Sequence, residues 1–275
     1  MTAPALPPET LEGWYALHQL FTVNRAALRA LAADERRSLL VEAADGLAAL
    51  ADPAEDGWSQ VVPLIGSRAE VMLVHFRPTL EALGAAQDAV RGLRLHDSLR
   101  SEYAFLSVAE LGLYHLTAQF ARDAEARGGT PGDEAYRAAL AERAAGERDS
   151  AFAARRLHPT PPADMPYVCF YPMSKRRAPD QNWYALSLDD RSRLMHAHAL
   201  TGRRYAGRVQ QIITGAIGFA EWEWGVTLFA RDPLDFKRLV TEMRFDEASA
   251  QYADFGDFYV GRTTDAAEWA RTLGG

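Results

Sequence analysis

Cysteine is nearly absent: Cys169 is the one thiol in 275 residues. A single cysteine makes neither an internal disulfide nor a cysteine-based zinc site, and it fits a reducing compartment. In the run YVCFY it reads as a small core residue. Long apolar runs are missing too, so nothing of about 18 residues is available to span a bilayer. The opening MTAPALPPET lacks the basic-then-apolar order of a secretory signal. The expectation is a soluble, cytoplasmic protein. Positive charge is in deficit, with 30 Lys and Arg against 37 Asp and Glu and a formal net charge of -7. Nucleic acid is not expected as a partner, because phosphate backbones are bound through an excess of basic residues. Gly-x-Gly phosphate loops, Ser/His/Asp arrangements and HExxH are also lacking. Gly215-Ala-Ile-Gly218 falls between two strands, the context of a hairpin.

What is present is 48% hydrophobic residues, enough to bury the core of one large domain or two ordinary ones. Residues 13–23 mix aromatic and β-branched side chains as a strand does, and Asn24 then caps a helix reaching about Leu50, ended by Asp52-Pro53. Strands over 58–66 and 70–76 are joined at Gly66-Ser67. A helix from Thr79 and a strand over 102–111 complete the order β-α-β-β-α-β. The same order returns with a strand at 166–171, a helix at 188–205, strands at 209–215 and 224–230, a helix at 233–244 and a strand at 257–261. Each half matches a ferredoxin-like unit, whose sheet carries helices on one face and leaves the other to be covered. The expected fold is therefore α+β, two ferredoxin-like halves covering each other or curling into a barrel. The halves span 1–118 and 166–275, joined by a connector at 119–165 of short surface helices and a Pro-rich loop.

Two histidines lie in the helix at 188–205. At 100° per residue His196 and His198 point to nearly opposite faces. His198 falls with Leu188, Met195, Gly202 and Tyr205 and is expected to be buried. His196 falls with Asp189, Ser192, Arg193 and Arg203 on the wet side. An inward histidine is either a satisfied core residue or an axial metal ligand, and a carboxylate usually orients such a ligand. Glu223 and Glu242 are both candidates for that role. Tyr171 shares a strand face with Tyr167 and Cys169, as an ordinary half-buried tyrosine or one lining a pocket. Lys175-Arg176-Arg177 reads equally as a solvated loop or a small anion site. In VQQIITG, either Gln210 or Gln211 faces inward, and alternation alone does not choose.

The runs Cys169-Phe-Tyr-Pro-Met-Ser-Lys-Arg-Arg177, His198-x3-Gly202-Arg-x-Tyr-Ala-Gly-x-Val-Gln-Gln-Ile-Ile-Thr-Gly215, Glu223-Trp-Gly-Val-Thr-Leu-Phe229 and Glu242-Met-Arg-Phe-Asp-Glu247 resemble the coproheme decarboxylases, of the chlorite-dismutase-like superfamily of haem proteins. The resemblance covers most of the C-terminal half and implies a dimeric α+β barrel within one chain. It implies that His198 is the proximal iron ligand and Tyr171 the redox residue. Lys175 and Arg156 would bind propionates of iron coproporphyrin III (coproheme), with Tyr114 and Ser249 as further donors. Met173 would line the pocket, and Gln211 would stand on the distal side of the iron. The implied reaction is peroxide-dependent decarboxylation of coproheme to haem b. The resemblance also implies a homopentamer and transient contact with the coproporphyrin ferrochelatase. A haem carrier or sensor that keeps the barrel without turnover is the competing reading. Chlorite detoxification is disfavoured, since a neutral glutamine replaces the distal arginine of true chlorite dismutases.

Overall fold

The computed structural model describes residues 6–52 and 56–274; Met1 to Ala5 and Pro53, the expected helix stop, lie outside the described residues. The N-terminal half runs β1 (Thr10–Val23), α1 (Arg25–Ala30), α2 (Ala33–Ala51), β2 (Trp58–Ile65), β3 (Val71–Arg77), α3 (Leu80–Gly92) and β4 (Leu99–Gly112). Three connecting helices follow, α4 (Tyr114–Ala126), α5 (Glu134–Arg148) and α6 (Ala151–Leu157). The C-terminal half comprises β5 (Tyr167–Lys175), α7 (Leu188–Arg203), β6 (Val209–Gly215), β7 (Trp224–Ala230), α8 (Leu234–Met243), α9 (Glu247–Tyr252), β8 (Ala253–Phe255), β9 (Tyr259–Arg262) and α10 (Ala266–Leu273).

Asn24 does cap a helix, accepting from the Ala27 amide at 3.0 Å. The single long helix expected after it is two, because Leu31 and Ala32 are extended, with ψ of 147° and 148°. The connector is more than short surface helices. α5 has 15 residues, and its Tyr136 and Leu140 pack with Ala121 and Ala124 of α4 in a small core. The helix α10, also unforeseen, lays Trp269 and Leu273 over α2 and the N-terminal sheet.

All strands form one sheet in the order β7-β6-β4-β1-β3-β2-β9-β5-β8, and β5 pairs with β7 as well, so the sheet closes on itself. Closure removes the exposed edges that an open sheet would present. The halves meet at two short seams, β4 with β6 and β2 with β9. Each seam holds a glycine closely approached from the other half. A Cβ at Gly215 would collide with the Glu110 carboxylate, and one at Gly261 with the Pro63 carbonyl.

The barrel interior is filled from both halves, by Leu20, Val62, Met72, Phe76 and Phe105 against Val168, Phe170, Ile212 and Phe229. Outside it, α2 and α10 cover Phe21, Val61 and Leu73. On the opposite side α8 covers Cys169, Val226 and Leu228. Cys169 is buried there as expected, its thiol pushed up to about 12 by desolvation. No helix among the described residues is long and apolar enough to cross a membrane.

Two histidines are buried away from the C-terminal outer face. His18 stacks on Phe170 with ring centroids 4.0 Å apart, and its Nε2 meets the Thr227 hydroxyl at 2.9 Å. His75 meets Ser59 Oγ through Nδ1 at 2.7 Å, and Arg77 donates to the same hydroxyl at 2.9 Å. Burial first, then His75 for His18 and Arg77 for His75, lowers both from 6.5 to about 3. Both rings are therefore neutral in the native barrel, while the unfolded chain binds their protons from pH 6.5 downward. Stability should be complete above pH 6.5 and fall between there and pH 3, by up to about 1.4 kcal/mol per pH unit for each ring. Urea unfolding across this range should show a shallower acid loss for His18→Gln than for the wild type. Parallel pH curves would contradict the assignment.

Candidate functional site

The strand β5 has two environments. Val168 and Phe170 enter the barrel, while Cys169 and Tyr171 face outward into the cluster that α8 covers, as a period of two requires. On β6, Val209 and Ile213 share that outer face. Gln211 lies with them and Gln210 turns away, its amide donating to the Thr160 carbonyl at 2.8 Å. A Cβ at Gly202 on α7 would stand 3.4 Å from Gln211 Nε2 and 3.3 Å from Met243 Cε. The turn of α7 after His198 thus approaches Gln211 across a narrow gap that a glycine keeps open.

Residues Arg191, Leu194 and Thr201 form the buried stripe of α7. His196 is exposed, as expected, but His198 is half-buried, with 29% of its side chain accessible. The stripe is rotated from the expected one, and Leu188 and Met195 are also only half-buried. Arg191, seven residues before His198 and so on nearly the same face, is buried as a charged residue, its guanidinium donating to the Leu6 carbonyl. His198 lies at the stripe's open edge, and its Nδ1 is 3.0 Å from Asp246 Oδ2.

Neither Glu223 nor Glu242 orients His198. Glu242 accepts from the Tyr205 hydroxyl at 2.5 Å, and Glu223 accepts the Lys175 backbone N–H at 2.7 Å. Asp246 does so instead, from the N-cap of α9, where it also accepts the Ser249 amide at 3.1 Å and the Ser249 hydroxyl at 3.0 Å. Burial opposes its charge, but the hydrogen bonds from His198 and Ser249 prevail and hold the carboxyl below its usual range. The Ser249 hydroxyl is therefore committed to Asp246 rather than free for a propionate. With Nδ1 engaged, Nε2 is the His198 nitrogen left for a ligand.

Tyr171 is 5% exposed, and its ring stacks on Phe258 at 4.4 Å. Burial first, then Cys169, raises its phenol above the ordinary tyrosine value, against the Arg244 charge. Met173 is half-buried in the same cluster. The basic triplet does not act as one patch. Arg176 pairs with Asp254 at 2.9 Å and Arg177 approaches Glu223 at 3.9 Å, both from the outside. Lys175 turns inward, its Nζ 4.1 Å from the centroid of the Trp183 ring and 3.3 Å from the Ala248 carbonyl. Desolvation lowers its pKa to about 8 although Asp246 and Glu223 pull the other way. Tyr114, at the start of α4, meets Trp183 edge-on at 6.2 Å, and burial pushes its phenol up to about 12.

Tyr171 and Met173 share the outer-face cluster, Lys175 and Tyr114 both meet Trp183, and His198 and Ser249 both meet Asp246, while Gln211 lies near Gly202 of α7. Arg156 is not joined to them. It sits half-buried on α6, which packs on β1 and β4, and burial lowers the pKa of its guanidinium. No hydrogen bond among the described residues ties it to the cluster. Asp246 and Trp183 were missed in the sequence, although Asp246-Glu-Ala-Ser249 has the form of a helix N-cap.

An iron porphyrin fits these donors. Among the described residues no group of three His, Cys, Asp or Glu side chains could hold a metal ion. A haem iron asks the protein for one neutral imidazole, and His198, with Nδ1 held by Asp246 and Nε2 left open, would supply it.

The chlorite dismutase family model matches residues 36–264. The coproheme decarboxylase of Staphylococcus carnosus is 38% identical over 255 residues, covering 92% of this chain and 92% of its own. That of Staphylococcus saprophyticus is 38% identical over 260 residues, covering 92% and 93%. A solved heme-binding protein from Thermus thermophilus has a TM-score of 0.83 at 34% identity, with 100% of both chains covered. A chlorite dismutase variant from Candidatus Nitrospira defluvii has a TM-score of 0.71 at 17% identity, covering 96% and 97%, a likeness of fold alone. This chain belongs to the chlorite dismutase family. Its curated relatives place it among the members named coproheme decarboxylase.

Asp246→Ala should cost about 0.5–2 kcal/mol in the apoprotein, since it removes a helix cap and leaves His198 Nδ1 unpaired. Asp246→Asn, also a good cap, should recover most of that loss in urea unfolding. An Ala variant as stable as the wild type would show that the Asp246 bonds hold nothing.

Proposed function

We propose that this protein is a coproheme decarboxylase that converts two propionates of iron coproporphyrin III to vinyls, giving haem b with hydrogen peroxide as oxidant. The observation that carries this reading is a buried redox-capable phenol, Tyr171, and a buried cation, Lys175, four residues apart and so on one face of β5. A haem carrier would need the histidine and neither of the others. The relatives' names support the substrate.

His198 would hold the iron through Nε2, kept in position by Asp246. The bound iron, on reaction with peroxide, supplies an oxidant to the protein. Tyr171 would lose one electron and its phenolic proton to that oxidant. The resulting tyrosyl radical takes a hydrogen atom from the β-carbon of a propionate. Loss of a second electron then releases carbon dioxide and leaves the vinyl. Each propionate consumes one peroxide and one proton and yields one carbon dioxide and two waters. Apolar walls from Val226, Phe255 and Phe258 keep water from the radical.

Lys175 would exchange the Ala248 carbonyl for a propionate. Coproheme carries four carboxylates, and a buried carboxylate without a partner is costly. With a pKa near 8 the lysine is charged in neutral solution and loses that charge as pH rises. Arg156, Tyr114 and Met173 remain further proposed contacts, and Gln211 a neutral distal amide. By family resemblance we also read the protein as a cytoplasmic homopentamer that meets the coproporphyrin ferrochelatase transiently. A sedimentation coefficient of a monomer at micromolar concentration would contradict the assembly.

Iron coproporphyrin incubated with the protein and peroxide should show two successive losses of formic-acid mass in the mass spectrum. Tyr171→Phe should bind the porphyrin almost normally and yield no vinyl product, at a stability cost of only about 0.5–1.5 kcal/mol. Haem b formation by Tyr171→Phe near the wild-type rate would overturn the radical mechanism.

A further inference from the structure

Glu110 of β4 lies on the outer face that also carries Tyr171. The β4–β6 register pairs Val108 with Gly215 and Ala109 with Thr214, which brings Glu110 beside Ile213. Ile213 pairs with Val226, and Val226 with Tyr171. One row across the C-terminal outer face therefore reads Glu110, Ile213, Val226, Tyr171, from four strands. Three strand spacings separate its ends, about 14 Å, a span on the scale of a tetrapyrrole. The seam glycine confirms which side the carboxylate occupies, since a Cβ at Gly215 would collide with Glu110 Oε2.

The carboxylate is tethered on one side only. Oε1 accepts from Trp224 Nε1 at 3.2 Å, and Oε2 has no hydrogen-bond partner among the described residues. Its charged surroundings are sparse. Glu12 lies directly across on β1, Tyr114 stands at the start of α4, and Arg148 of α5 is engaged with the Glu12 carbonyl at 3.0 Å. Burial first, then the like charge of Glu12, raises the Glu110 carboxyl above the ordinary range, although the Trp224 bond opposes the rise. A half-buried carboxyl whose hold on its proton is strengthened in this way is suited to exchange it with a bound weak acid.

We propose that Glu110 is the acid–base group of this face, exchanging protons through Oε2 with weak acids that enter it. Hydrogen peroxide would pass one proton to ionised Glu110 and remain as the hydroperoxide anion. The same proton is then available to the oxygen that departs as water. This inference rests on the face being the porphyrin site.

Glu110→Gln tests it cleanly, because the amide oxygen still accepts from Trp224. In the apoprotein, infrared difference spectra across the acid range should show a protonated carboxyl that titrates above ordinary carboxylates and vanishes in Glu110→Gln. In protein loaded with ferric coproporphyrin, hydrogen cyanide serves as a weak acid without peroxide chemistry. Its association should be slowed about 100-fold or more by Glu110→Gln, with loss of the same ionisation from the pH–rate profile and unchanged porphyrin affinity. Superimposable cyanide profiles, or infrared spectra without that carboxyl, would overturn the proposal and leave Glu110 as a tether for Trp224. A wild type that binds no iron coproporphyrin would fail the reading of the face, and this proposal with it.

Discussion

Pairing of β5 with β7 closes the sheet, and that closure decides what each strand residue can do. One face of every strand must fill a shared interior, so alternate residues are left to serve the outside. In the N-terminal half α2 and α10 pack over the outside and leave a cavity between them. In the C-terminal half α8 seals only part of the outside, and α7 stands off with His198 at the stripe's open edge.

Polar groups on that face carry an energetic cost that particular contacts offset. Lys175 is stripped of water, and its remaining partners are a carbonyl, an aromatic ring and two nearby carboxylates. A cation over an indole contributes on the order of 2 kcal/mol when desolvated, less than full hydration would. The lysine is thus held ready for an anion better than any partner it now has. Asp246 plays the matching part for His198, since one carboxylate both caps α9 and fixes the imidazole. Loss of either contact would loosen the other, because both depend on where α9 begins.

Short-range patterns in the chain exposed much of this. Alternation along YVCFY put Cys169 and Tyr171 on one face, and the two β-α-β-β-α-β orders implied sheets that cover each other. What alternation could not reach were contacts between elements far apart in sequence. Asp246 meets His198 across 48 positions, and the pattern offered Glu223 and Glu242 with equal weight. Arg191 was hidden for a different reason, since a charged residue on a helix is ordinarily solvated; here it is 2% exposed and reaches the Leu6 carbonyl. The break between α1 and α2 leaves no Pro or Gly at Leu31-Ala32, so no local residue announced it. Glu110 became visible only once the β4–β6 seam set its register.

The central claim is that a tetracarboxylate iron porphyrin lies between α7 and the row that includes Ile213, Val226 and Tyr171. A crystal structure of the protein with iron coproporphyrin III tests it most directly. The expected result is iron bonded to Nε2 of His198, the opposite porphyrin face toward Gln211, and a propionate between Tyr171 and Lys175. Iron held by another residue, or a porphyrin in the cavity of about 440 Å³ between α2 and α10 that His75 lines, would contradict it.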